Sequence, residues 1–243
     1  MEGIDNPEAA ILELLSELQS ELEGALNSLG GKKPKAITDS YFVEASSYIN
    51  KAADGFLLLR KCGRVDASKL LVRSAIEALF RIQALRKKPE LLYRFAYTER
   101  LEDHKWFGSA AMRLGKPYDR DPDPPGWPDF EKAFKQEFQG ISLERKKIAL
   151  RDVAEIAGLA PYYDSHYRLY CQYAHAALRG MSGHSDDLSD PEDSRVMVLC
   201  AFGTVAAIAA IGAEAPNIDR LHERVEELSK APPLKLKRGR AGN

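Results

Sequence analysis

The stretch Ser165–Met181, SHYRLYCQYAHAALRGM, has helical periodicity and two unlike sides. At 100° per residue, Tyr167, Tyr170, Ala174, Ala177, Leu178 and Met181 fall on one apolar flank. Arg168, Gln172, His175 and Arg179 fall within about 60° of one another on another side. That second stripe carries two permanent cations, an amide and an imidazole that titrates near neutrality. Such a stripe suits an anion, and a phosphodiester above all.

Around it the chain is helical throughout. Leu70–Leu85 is apolar almost all the way round, as a central helix must be, yet it holds Arg73 and Glu77 one turn apart. A charge in such a place is costly unless paired and hydrogen-bonded. Two accounts stay open: a structural pair within one helix, or a site pair facing an opposing helix. The expected arrangement is one polar cluster of Arg73, Glu77, Tyr170 and His175, with Arg168 at its edge. Val196–Ala213 runs 18 residues without a charge. It is short for a membrane span and poor in Leu, so it reads as a buried helix beside the central pair.

The remaining punctuation supports an all-α chain, a single helical bundle of about seven or eight helices. Asn6-Pro7-Glu8 is a helix start. Ile11, Leu15, Leu18, Leu22, Ala25 and Leu29 then form an a/d seam that ends at Gly30-Gly31. Residues 1–31 are expected as a peripheral N-terminal helix packing on its own domain, with a dimer contact as the sharper alternative. Residues 38–230 form the bundle. Thr38 or Asp39 caps its first helix, and Asp66 caps the next. Residues 115–128 hold five prolines and read as a long loop, with Trp127 placed to latch it to the body. Leu150–Leu159 is similar to the first helix of a helix-turn-helix. The aromatic helix after it is not the short polar reader that such a motif needs. Residues 231–243 are expected as a basic, disordered tail.

Composition narrows the chemistry. A net charge of −1 gives no global field for nucleic acid, so any anion binding is local. Seven acidic and no basic side chains among the first 31 residues are the reverse of a secretory leader. Three scattered cysteines, Cys62, Cys171 and Cys200, point to buried thiols in a reducing cytoplasm. His175, His184, Asp186 and Asp187 have no ligand spacing, so no metal is expected, and no cofactor signature is present. His104, His166 and His222 read as exposed helix residues.

Arg168 and His175 form R-x₆-H on one helix. Arg can grip a phosphate bidentately and His can move a proton. Together they suffice for metal-independent RNA cleavage, in which the 2′-hydroxyl attacks its own phosphate. The spacing resembles the R-x₄₋₆-H signature of the HEPN superfamily, all-helical proteins that include toxin and phage-defence RNases. The chain also resembles a bacterial all-helical family of unknown function. That likeness rests on Arg73-Ser74-Ala75-Ile76-Glu77 and on Tyr170–His175, and covers roughly Asp66–Met181. The HEPN resemblance implies Arg168 and His175 as catalytic residues, and the polar stripe they share offers Gln172 and Arg179 as phosphate contacts. It implies RNA, a second copy of the chain, and an antitoxin or defence partner protein as the partners to test, with no membrane among them. Leu169 departs from that pattern, which usually has a polar residue after the Arg. The rival reading is a non-catalytic helical interaction module in which the polar cluster is structural.

Overall fold

The computed structural model describes residues 7–29, 35–114, 126–174 and 190–230. Those residues form an all-α bundle. Its elements are α1 (Pro7–Leu29), α2 (Ile37–Lys61), α3 (Val65–Lys87), α4 (Leu91–Arg113), α5 (Trp127–Glu137) and α6 (Leu150–Ala157). There follow α7 (Ala160–Tyr162), a π-helical turn (Tyr163–Tyr167), α8 (Arg168–Ala174), α9 (Asp190–Ala210) and α10 (Ile218–Lys230).

Helices α3 and α9 are the centre. Val72, Ala75, Ile76, Phe80, Ile82 and Leu85 of α3 are buried, and so are Val196, Met197, Cys200, Ala201, Val205 and Ile208 of α9. Each large apolar side chain so buried contributes about 1.5–3 kcal/mol against chain entropy. Gly203 lets the two helices close: a Cβ there would lie 2.8 Å from Leu79 Cδ1. The Gln83 amide uses this approach and donates to the Gly203 carbonyl at 2.9 Å. By length and composition α9 could cross a membrane, but it is packed among α1, α2, α3 and α10.

Helix α1 packs on the helices of its own chain. Ile11, Leu15, Leu18, Leu22 and Ala25 are buried in the common core, because the seam lies along α9 and α2. Its apolar stripe is thus satisfied within the chain, which removes the reason to invoke a coiled-coil dimer on that seam. Polar ties fix its outer edge: Glu17 pairs with Arg220 and Arg224 of α10, and Glu21 accepts from the Asn217 amide groups.

Two caps differ from expectation. The N-cap of α2 is Ala36, and Asp39 caps from inside the first turn, accepting the Lys35 and Ala36 N–H groups at 2.8 and 3.0 Å. Helix α3 starts at Val65, so Asp66 lies in its first turn, where its carboxylate sits 3.6 Å from the buried Lys69 ammonium. A carboxylate there complements the helix dipole without capping. Gly158 ends α6 at φ +79°, where a side chain would be strained and would meet Lys87 Nζ at 2.8 Å. That ammonium donates to the Ala157 carbonyl, closing the helix end.

Trp127 is buried at the head of α5 in an aromatic cluster with Tyr93, Phe130 and Phe134. Its indole N–H donates to Glu131, and the Arg100 guanidinium lies 4.6 Å from its ring. Residues 141–149 have no helix. Arg94 holds them by donating to the Lys146 and Lys147 carbonyls.

Candidate functional site

Helix α8 begins at Arg168, whose backbone N–H donates to the Tyr163 carbonyl and whose exposed side chain is, among the described residues, in no ion pair or hydrogen bond. The helix runs to Ala174 and includes Gln172 in its backbone. His175 and Arg179 lie outside the described residues, as do His184, Asp186, Asp187, the Pro-rich loop and the basic tail. The stretch is not one regular α-helix. Ser165–Tyr167 belong to the π turn, whose i→i+5 bonding shifts the phase of everything before Arg168.

Arg73 and Glu77 do meet in one network, through Tyr167. Arg73 Nε donates to Cys171 Sγ at 3.3 Å, and a terminal nitrogen donates to the Tyr167 hydroxyl at 3.3 Å. That hydroxyl donates to Glu77 Oε2 at 3.4 Å. Glu77 Oε1 accepts from Arg81 at 3.2 Å, and Arg81 also pairs with Glu99. Burial, then the Glu77 charge, pushes the Tyr167 hydroxyl up. The chain of charges alternates and sums to zero. The carboxylate takes the cation one turn after it, the better i,i+4 order, in place of a direct pair with Arg73. A cavity of about 370 Å³ opens beside this network, with Tyr41, Glu44 and Ser74 on its walls.

Tyr170 does not join that network, which corrects the expected grouping. Its hydroxyl donates to Asp193 Oδ1 at 2.7 Å, and Asp193 Oδ2 takes Arg60 at 3.1 Å. Tyr170 and Asp193 are wholly buried. Burial, then the Asp193 carboxylate, raises the Tyr170 hydroxyl far above its ordinary range. Arg60 reaches Glu8 at 3.6 Å, so this second network joins α1, α2, α8 and α9.

A third cluster was missed from sequence. His166 is only 17% exposed, and its Nε2 lies 3.2 Å from Glu192 Oε1. Its Nδ1 lies 2.8 Å from Ser165 Oγ, and its ring stacks on Tyr162 at 5.5 Å. The hydrogen bond to His166, and then its charge and that of Arg195, holds the Glu192 carboxyl below its usual value against the cost of burial. Arg195 Nη1 is 3.7 Å from Glu192. These residues line a cavity of about 440 Å³ between the π turn, α9 and α10. The Pro191-Glu192-Asp193 helix start was the one available signal, since it places acids opposite the aromatic helix. Among the described residues, no group of three or more His, Cys, Asp or Glu is placed to hold a metal ion.

Residues 39–193 match the family described as Family of unknown function (DUF5677). The match spans more than half of the chain, and the chain belongs to that family. It reaches beyond Asp66–Met181 at both ends, taking in all but the first two residues of α2 at one end and the start of α9 at the other. No curated protein and no solved structure matches the chain.

Proposed function

We propose that this member of the family is an RNA-binding or metal-independent RNA-cleaving helical protein of the toxin or defence type. Arg168 and His175 are its catalytic pair, with Gln172 and Arg179 as phosphate contacts. The observation that supports this is the state of Arg168. Arg60, Arg73 and Arg81 are each engaged by side chains of their own fold, and Arg168 stands exposed without such a partner among the described residues. An unengaged, exposed guanidinium is free to take a phosphate. In this reading Arg73, Glu77 and Tyr170 position the helices and take no part in the chemistry. Dimeric pairing of two such helices would bring both Arg–His pairs to one cleft.

The test is incubation of purified protein with RNA in EDTA, beside Arg168→Ala and His175→Ala. Cleavage that needs both residues supports the proposal. Folded variants that cleave as well as the wild type, or a wild type that neither binds nor cleaves RNA, overturn it.

A second reading is favoured by the closure of the two networks. With Arg73 held by Tyr167 and Cys171, and Arg81 by Glu77 and Glu99, the cluster can serve packing alone, in a non-catalytic interaction module. Loss of stability in Arg73→Met without any RNA activity in the wild type supports that reading.

A further inference from the structure

The His166 cavity carries an inference independent of Arg168. Arg195 lines it, with a side chain only 15% exposed. Its Nε is sealed from solvent and has no hydrogen-bond partner. The nearest carboxylate oxygen, on Glu192, stands 3.7 Å from Nη1, beyond hydrogen-bonding reach. A mostly buried guanidinium without hydrogen bonds is unfavourable unless an acceptor comes to it. Glu192 is meanwhile committed to His166 at 3.2 Å. One carboxylate thus faces two nitrogen groups, and Arg195 is left short of a hydrogen-bond acceptor.

The other walls are mostly apolar: Pro161, the Tyr162 ring, Val198, Leu199, Val225 and Leu228. Tyr162 and Leu199 also border a second cavity of about 200 Å³, lined by Ile76, Phe80, Gln83 and Cys200 among others. A polar mouth with a greasy recess behind it fits a ligand with one anionic head and an unbranched apolar body.

We infer that the cavity between the π turn, α9 and α10 binds a small amphipathic carboxylate, with its head on Arg195 and its alkyl chain directed past Leu199. The head hydrogen-bonds to the guanidinium, and Ser165 and His166 stand at the same mouth. The chain replaces water against Val198, Leu199 and Leu228.

The experiment is calorimetric titration of the full-length protein with octanoate, butanoate and methyl octanoate. Octanoate is expected to bind one per chain. Methyl octanoate, which lacks the charge, should bind at least about tenfold more weakly. Binding should tighten with chain length, by up to about fourfold per buried methylene. Arg195→Met keeps the bulk and should erase the difference between octanoate and its ester. Equal binding of acid and ester by the wild type overturns the inference, and so does butanoate binding as tightly as octanoate. Absence of octanoate binding at millimolar concentration overturns it as well. These comparisons need no variant, so they decide the matter even if Arg195→Met does not fold.

Discussion

The Tyr170 hydroxyl donates to Asp193 Oδ1 at 2.7 Å, and neither residue exposes any surface. Asp193 also holds Arg60, so one carboxylate ties three helices together. Tyr170→Phe removes a single hydrogen bond to a charged group at nearly constant volume. It should cost about 1.5–3 kcal/mol in denaturant unfolding. Asp193→Ala removes a partner from a buried cation and should cost about 3–5 kcal/mol. Stability unchanged in both variants would show that the network contributes nothing.

Arg73 positions the π turn through Tyr167 and α8 through Cys171. Arg73→Met should therefore lower stability by about 1 kcal/mol, the worth of a pair of weak, part-buried hydrogen bonds. RNA cleavage per folded molecule should stay within a few-fold of wild type. A complete loss of cleavage in a stably folded Arg73→Met protein would move Arg73 into the chemistry.

Glu131 accepts from Tyr93, Trp127 and Arg145. The Tyr93 hydrogen bond leads in pulling its carboxyl from 4.5 to about 2. A carboxyl depressed on folding contributes stability that is complete above its unfolded value. That contribution fades as pH falls from 4.5 towards about 2. Glu131→Gln should be less stable at neutral pH and lose less of its remaining stability across that acid window. Trp127 fluorescence followed against pH checks this, and identical acid profiles would contradict it.

Thiol reactivity should rank the three cysteines. Cys62 is exposed, against the expectation of buried thiols, and Cys200 is buried. Burial alone pushes the Cys200 thiol up, so it holds little thiolate at neutral pH. Alkylation followed by mass spectrometry should label Cys62 first, then Cys171, and Cys200 only on unfolding. Early labelling of Cys200 would mean that α9 opens readily.

Much of the fold was legible in the chain. The all-α class, the central place of Leu70–Leu85 and the buried run from Val196 follow from apolar periodicity, and burial obeys it from Val72 on, while Leu70 is exposed. The place of α1 was less legible, because an a/d seam looks alike whether its cover is a second copy or α9. The polar contacts were least legible. Tyr167 and Tyr170 share a flank on a helical wheel, yet one hydroxyl meets Glu77 and the other Asp193. A wheel assumes an unbroken α-helix, and the π turn at Tyr163–Tyr167 breaks that assumption. It also hid His166, which a regular wheel sets on the outside and the structure sets against Glu192.

The most direct measurement is the chemistry of the RNA ends left after incubation in EDTA. Attack by the 2′-hydroxyl, with Arg168 on the phosphate and His175 moving the proton, breaks the bond from phosphorus to the 5′-oxygen and should leave 2′,3′-cyclic phosphate and 5′-hydroxyl ends detectable by mass. A substrate 2′-O-methylated at every position should stay intact, and Arg168→Ala should leave RNA uncut. Intact RNA with the wild type, or cyclic ends formed equally by Arg168→Ala, would contradict the account and leave a helical scaffold whose charges serve only its packing.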